Sequence, residues 1–177
     1  MARRCRPART GGVERPRQYS QFLRRLVRFV MRGNRVVEGN IHVTEGQSLA
    51  VFLTTRRVLA SLTEARWIGP GMQVMAHLAI RTEKILWAGS LDDALPVSTN
   101  VRPVARPRWA ELVLDEVGPL QVALYAGEEQ RLTDYFDSAP VFLPIMQATI
   151  PGSDKMLGPI AVNTSMIAAI REIEAHT

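Results

Sequence analysis

Two stretches of this chain, 83 positions apart, carry the same succession of side chains, and that correspondence limits the fold more than any single motif. EGQSLAVFLTTRRVLASLTEARWIG at 45–69 lies over EEQRLTDYFDSAPVFLPIMQATIPG at 128–152. Gln47 falls on Gln130, Leu49 on Leu132, Phe52 on Tyr135, Val58 on Val141, Leu62 on Ile145, Ala65 on Ala148 and Gly69 on Gly152. Upstream, FVMRGNRVVEGNIHV at 29–43 falls on LVLDEVGPLQVALYA at 112–126; downstream, after one slip, HLAIRTEKILWA at 77–88 falls on PIAVNTSMIAAI at 159–170. An order held this far with a single slip predicts two copies of one small domain, at 22–89 and 109–174. A unit of that size buries only roughly 60–65% of its unfolded surface alone, so each copy gains by packing on the other.

The local patterns are mostly those of strands. Residues 27–31 and 36–43 are short and β-branched, with Gly33-Asn34 as the turn between them. The spacing of Leu49, Phe52 and Leu53, repeated by Leu132, Tyr135 and Phe136, predicts one helical turn in each copy, at 47–54 in the first. Strands are expected at 58–67 and 141–150, with Pro144 marking an edge or a bulge, and at 75–80 and 160–162. A last strand is expected at 84–87 and 166–170; Met166, Ile167, Ile170 and Ile173 also fit a helix capped by Thr164 or Ser165, and the repeat decides for strand. Phe22, Leu23 and Leu26 predict a short helix at 18–26. The expected fold class is mainly β: two tandem small barrels, each a bent five-strand sheet crossed by one short helix.

Charge divides the chain differently. The formal +5 is the sum of +10 over residues 1–35, where eleven arginines meet only Glu14, and −5 over residues 36–177. Residues 1–17 lack periodicity, and 1–21 as a whole read as a disordered arginine-rich arm; Arg3, Arg4, Arg6, Arg9, Arg15 and Arg17 lie there, and Arg24, Arg25 and Arg28 follow. Residues 90–108 carry Pro96, Pro103 and Pro107 and read as an extended linker, because proline fixes φ and removes N–H donors. Its end brings Arg106, Arg108 and Trp109 together, residue types enriched at interface hot spots. The arm lacks the apolar segment of a secretory signal and no run of 18 apolar residues exists, so a cytoplasmic address is expected, peripheral on the cytoplasmic face of an inner membrane if the arm meets lipid.

Chemistry-bearing patterns are sparse. His42, His77 and His176 have no carboxylate or second histidine at metal-ligand spacing, and Cys5, in the arm, lacks an oriented base. Gly69-Pro70-Gly71 is a turn rather than a phosphate loop, and Asp92-Asp93 and Glu128-Glu129 read as solvated loop faces. The expectation is therefore no enzyme, no cofactor, no metal and no small-molecule substrate.

Copy two resembles a widespread, poorly characterised small bacterial domain with an R-L-S-D-hydrophobic-L-N motif, an F-hydrophobic-x-hydrophobic strand and a late V-N-x-x-x-I step. It does so through Arg131-Leu132-Thr133-Asp134-Tyr135-Phe136-Asp137, Phe142-Leu143-Pro144-Ile145, and Val162-Asn163 with Ile167. Copy one keeps Gly39-Asn40-Ile41, Leu49 and Ile85 but has Ser48 and Val51 in place of the motif's arginine and aspartate. The order of strands also resembles Sm-like and SH3-like barrels. The resemblance implies architecture rather than activity. On the residues themselves, Arg131 and Asp134 are structural, and Leu132, Tyr135 and Phe136 close one end of the sheet. The expected role is a non-catalytic accessory or adaptor subunit of a larger assembly, membrane-associated or resting on anionic lipid, docked by Arg3 through Arg28, Arg106, Arg108 and Trp109. The alternative is RNA binding, with the arm neutralising phosphates.

Overall fold

A computed structural model describes residues 22–56, 58–71, 73–98, 107–115, 117–127, 129–153 and 156–174. The protein is mainly β. Strands β1 (Phe22–Met31) and β2 (Arg35–Thr44) are followed by helix α1 (Leu49–Thr55) and by β3 (Leu59–Ile68), β4 (Val74–Arg81) and β5 (Ile85–Ser90). Then come β6 (Arg108–Leu114), β7 (Gly118–Leu124), helix α2 (Leu132–Asp137), β8 (Phe142–Ile145), β9 (Ala148–Thr149), β10 (Met156–Leu157), β11 (Ile160–Asn163) and β12 (Ile167–Ile173). A 3-10 turn precedes β5 at Thr82–Lys84 and another precedes β12 at Thr164–Met166.

All pairing is antiparallel, in one sheet of order β4-β3-β2-β1-β5-β11-β8 and another of order β10-β9-β7-β6-β12. The first sheet therefore draws two strands from the C-terminal half: β11 lies along β5, with Ile160 opposite Gly89, Ala161 opposite Ala88 and Val162 opposite Trp87.

The pairings of the two halves recur at offsets of 82 or 83 positions. Val30 faces Val36 as Val113 faces Pro119. Glu38 faces Arg66 as Gln121 faces Thr149. Leu62 faces Leu78 as Ile145 faces Ile160. The irregularity between Val30 and Met31 in β1–β5 has its counterpart between Ile167 and Ala169 in β6–β12. Within β2, Gly39 permits the close approach of β3, because a Cβ there would lie 3.1 Å from both Ala65 Cα and Leu62 Cβ.

The core divides into two clusters that each borrow from the other half. The first gathers Phe29, Ile41, Leu49, Leu53, Leu62 and Ile85, and takes in Phe142 and Ala161. The second gathers Leu112, Leu114, Leu124, Ile145 and Val162, and takes in Val30, Leu86 and Trp87. Helix α1 starts at Ser48, whose Oγ accepts from Val51 N at 3.3 Å.

Four expectations change. The residues from Phe22 onward belong to β1, because pairing with β2 along its whole length outweighs a local helical spacing (residues 18–21 lie outside the described residues). The stretch 141–150 is two strands, β8 and β9, and β8, with Pro144, is a sheet edge. Residues 91–98 are not a free extended linker: Leu95 and Val97 are buried in the first cluster, and Pro96 O and Val97 O accept from Leu49 N and Ala50 N at the start of α1. Helix α2 buries no side chain fully; Leu132, Tyr135 and Phe136 lean on the second cluster, half-exposed.

Phe142 is contributed by the C-terminal half to the N-terminal core, so Phe142→Ala is expected to cost roughly 3–5 kcal/mol. Urea denaturation followed by tryptophan fluorescence and circular dichroism should show one coincident transition shifted as a whole; two separated transitions would mean that the halves unfold independently.

Candidate functional site

The basic residues at the start of the folded region occupy β1, where pairing sets what they meet. Arg28 stands opposite Glu38 on β2, and Glu38 stands opposite Arg66 on β3, which puts three charges in a row across three strands. Arg28 donates to Glu38 Oε1 from Nε at 3.0 Å and from Nη2 at 2.5 Å; Arg66 donates to Oε2 from Nε at 3.2 Å and from Nη2 at 2.7 Å. The Glu38 side chain is 5% exposed and its two partners keep one side in water. Burial pushes this carboxyl upward, but the hydrogen bonds and charges of Arg66 and Arg28 outweigh burial and hold it below its ordinary 4.5.

The neighbouring arginines are engaged too. Arg24 pairs with Glu64. Arg25 lies 3.7 Å from Asp92, whose Oδ1 accepts from Ala94 N. Arg32 reaches across the halves to Asp115 at 2.9 Å, and Arg35 lies 5.2 Å above the ring of Trp67.

Arg108, at the start of β6, forms a fork with Glu172 of β12, Nε to Oε1 and Nη2 to Oε2 both at 2.9 Å. Its Nη1 donates to Gly127 O at 3.2 Å and Gln130 O at 2.5 Å, tying the strand pair to the approach of α2. The hydrogen bond from Arg108, only partly opposed by burial, lowers the Glu172 carboxyl. Trp109 is half-buried in β6 between Ala123 of β7 and Ile173 of β12.

Of the arginines expected to dock a partner, Arg24, Arg25, Arg28 and Arg108 are thus committed to internal acids. Arg3, Arg4, Arg6, Arg9, Arg15, Arg17 and Arg106 lie outside the described residues, as do Cys5, Glu128 and His176. Arg108 and Trp109 are consecutive on β6 and so point to opposite faces of its sheet, apart from the β1 row. His42 is exposed, with Nε2 3.2 Å from Thr63 Oγ1, and His77 is exposed on β4. Among the described residues no group of His, Cys, Asp and Glu is placed to hold a metal ion. Among the described residues, no helix is long and apolar enough to cross a membrane. The acid at the centre of the row was legible only as an oddity, a lone charge inside the apolar run VVEGNIHV.

Two grooves open where the halves meet, on either side of β10. One, of about 380 Å³, lies between Trp87, Leu95, Met156 and Pro159. The other, of about 350 Å³, is walled by Val30, Val36, Ile68, Leu114, Leu120 and Leu157. Arg28 borders both. Among the described residues the edge strands are β4 and β8 in one sheet, β10 and β12 in the other. Compared with protein-family models, with curated proteins and with solved structures, the chain matches none.

A carboxyl lowered in the folded state adds stability above its unfolded pKa, and that stability disappears as pH falls through the lower folded value. The Glu38 contribution is therefore whole at neutral pH and lost below about 4.5. Glu38→Gln should cost about 1–3 kcal/mol at pH 7. Urea midpoints measured from pH 7 down to pH 3 should show a smaller acid-side decline in the variant than in the wild type; equal slopes would mean that this row does not govern the acid limb.

Proposed function

We propose that the chain is a non-catalytic adaptor subunit of a larger, membrane-associated assembly. In this reading it is two copies of one bent five-strand domain of the Sm-like or SH3-like kind. Its sheet edges take up neighbouring protein, and its N-terminal arginines rest on an acidic surface at the cytoplasmic side.

The observation that carries the reading is the β5–β11 pairing, in which one half extends the sheet of the other. Joining by sheet extension requires no special side chain, only an open edge with the right register. The recurring registers support the two-copy interpretation, and the parallel order of strands and helix, with the counterparts of β3 and β4 each split in two in the second half, supports the barrel kinship. The pairing of Arg24, Arg25, Arg28 and Arg108 with acids moves the weight of attachment onto residues 1–20, where six arginines meet Glu14 alone. Near an anionic bilayer each such side chain contributes roughly 1 kcal/mol.

The test compares the full chain with a 21–177 truncation for salt-dependent binding to native membranes, anionic vesicles and RNA in parallel. The expected outcome is loss of membrane binding on truncation. Loss of RNA binding, with indifference to membranes in both forms, would replace the adaptor reading by a nucleic-acid one, and no change in any arm would remove the arm from the function.

A further inference from the structure

The joint between the halves is built from unlike edges. β5 of the N-terminal half offers one edge and β11 of the C-terminal half the other. By the offsets that relate the two sets of pairings, the counterpart of β11 is the end of β4, and the counterpart of β5 is β12. Each half thus has one edge used at the joint and a complementary edge left over, and the two left over are β4 and β12. Among the described residues β4 pairs only with β3, and β12 only with β6.

We propose that these two edges are the matching sides of a second joint, in which β12 of one chain lies antiparallel along β4 of a second copy. Moving the internal pairs by 82 positions sets the register: Leu78 opposite Arg171, Ala79 opposite Ile170 and Ile80 opposite Ala169.

Three observations support this occupant. First, burial follows use. Ile160, Ala161 and Val162, and Trp87, Ala88 and Gly89, are buried at the internal joint; of their counterparts Ala79, Ala169 and Arg171 are exposed, Leu78 and Ile170 half-buried, and Ile80 alone is buried. Second, the other two edges are short or carry proline, and these two do neither. β8 is four residues long and contains Pro144, and β10 is two residues long; β4 runs eight residues and β12 seven, both without proline or lysine. Third, the hydrogen-bonding groups point the right way. Pro144 has no N–H to give, so its pair with Ala161 is a non-bonded one in the β8–β11 ladder, and Ala161 turns its own N–H and C=O toward Ala88. Ser61 and Ala79 form the equivalent pair in β3–β4, which directs the amide and carbonyl of Ala79 outward, to the open side. Because the two edges differ, the contact is head-to-tail and adds chains until it closes on itself.

This proposal shares with the adaptor reading only the use of sheet extension, and its experiment fails separately. Light scattering on the full chain at micromolar concentration should give at least twice the 19.7 kDa of one copy. Ala79→Pro removes the outward N–H while sparing the β3 ladder, and Ala169→Lys places a charge where Trp87 is buried at the internal joint; each should return the mass to that of one copy with an unchanged circular dichroism spectrum. In a Cys5→Ser background, Ala79→Cys and Ile170→Cys chains should form a disulfide when mixed, and neither should do so alone. A monomeric wild type, an assembly that survives both edge variants, or Ala79→Cys cross-linking to itself would each overturn the proposal. A monomer whose arm still binds membranes leaves the adaptor reading intact. An assembly that neither membranes nor vesicles retain supports the joint and removes that reading.

Discussion

Three residue pairs between β5 and β11 hold the molecule in its present form. They place the C-terminal half's β11 and β8 on the N-terminal sheet, and this brings Phe142 and Ala161 into one core and Leu86 and Trp87 into the other. A unit of the size of either half is marginal alone, because the fraction of surface buried falls as the chain shortens. Side chains shared across the joint supply the deficit, at about 25 cal/mol for each square ångström removed from water. Arg32 and Asp115 add an ion pair between the turns that follow β1 and β6, but both are about two-fifths exposed and such a pair contributes about 1 kcal/mol or less. The joint is therefore held by backbone pairing and apolar burial, with charge in a minor part.

Charge is spent instead on fixing the sheet. Arg28 and Arg66 flank a carboxylate that would be costly to bury without them, and their forks satisfy both of its oxygens. The same economy applies to Arg108, which meets a carboxylate and two backbone carbonyls with one guanidinium. An excess of arginine in the sequence thus translates into little unpaired basic surface on β1. The segment that retains an uncompensated composition is 1–20, which is why the functional reading rests there.

How far the sequence discloses this depends on the range of the interaction concerned. The strands at 36–43 and 75–80 and the turn of helix expected at 47–54, observed at 49–55, were legible because their side chains alternate or recur locally. The strand at Phe22 was not, since Phe22, Leu23 and Leu26 satisfy a helix spacing equally well and only the ten pairs with β2 decide otherwise. Leu95 and Val97 looked like linker because nothing nearby in the chain asks for them; the groups that do are Leu49 N and Ala50 N, half a domain away. The Glu38 row depends on register across three strands, which composition does not encode. The joint left one trace. ILWAG at 85–89 is continuously apolar, as expected of a strand enclosed by neighbours on both sides.

The build of the sheet edges bears on how this chain evades aggregation. An unguarded strand of seven or eight residues is a template for any extended peptide, and selection commonly blunts such edges with proline, lysine or shortness. This chain blunts β8 and β10 and leaves β4 and β12 long and free of proline and lysine. If all four edges faced only water, there would be no physical reason for this division. It follows directly if two edges are reserved: protection is needed where pairing would be wrong, and it would be destructive where pairing is intended. The alanines of β12 fit the same logic, because small side chains at 168 and 169 keep the solvent-facing apolar area low until another strand covers it.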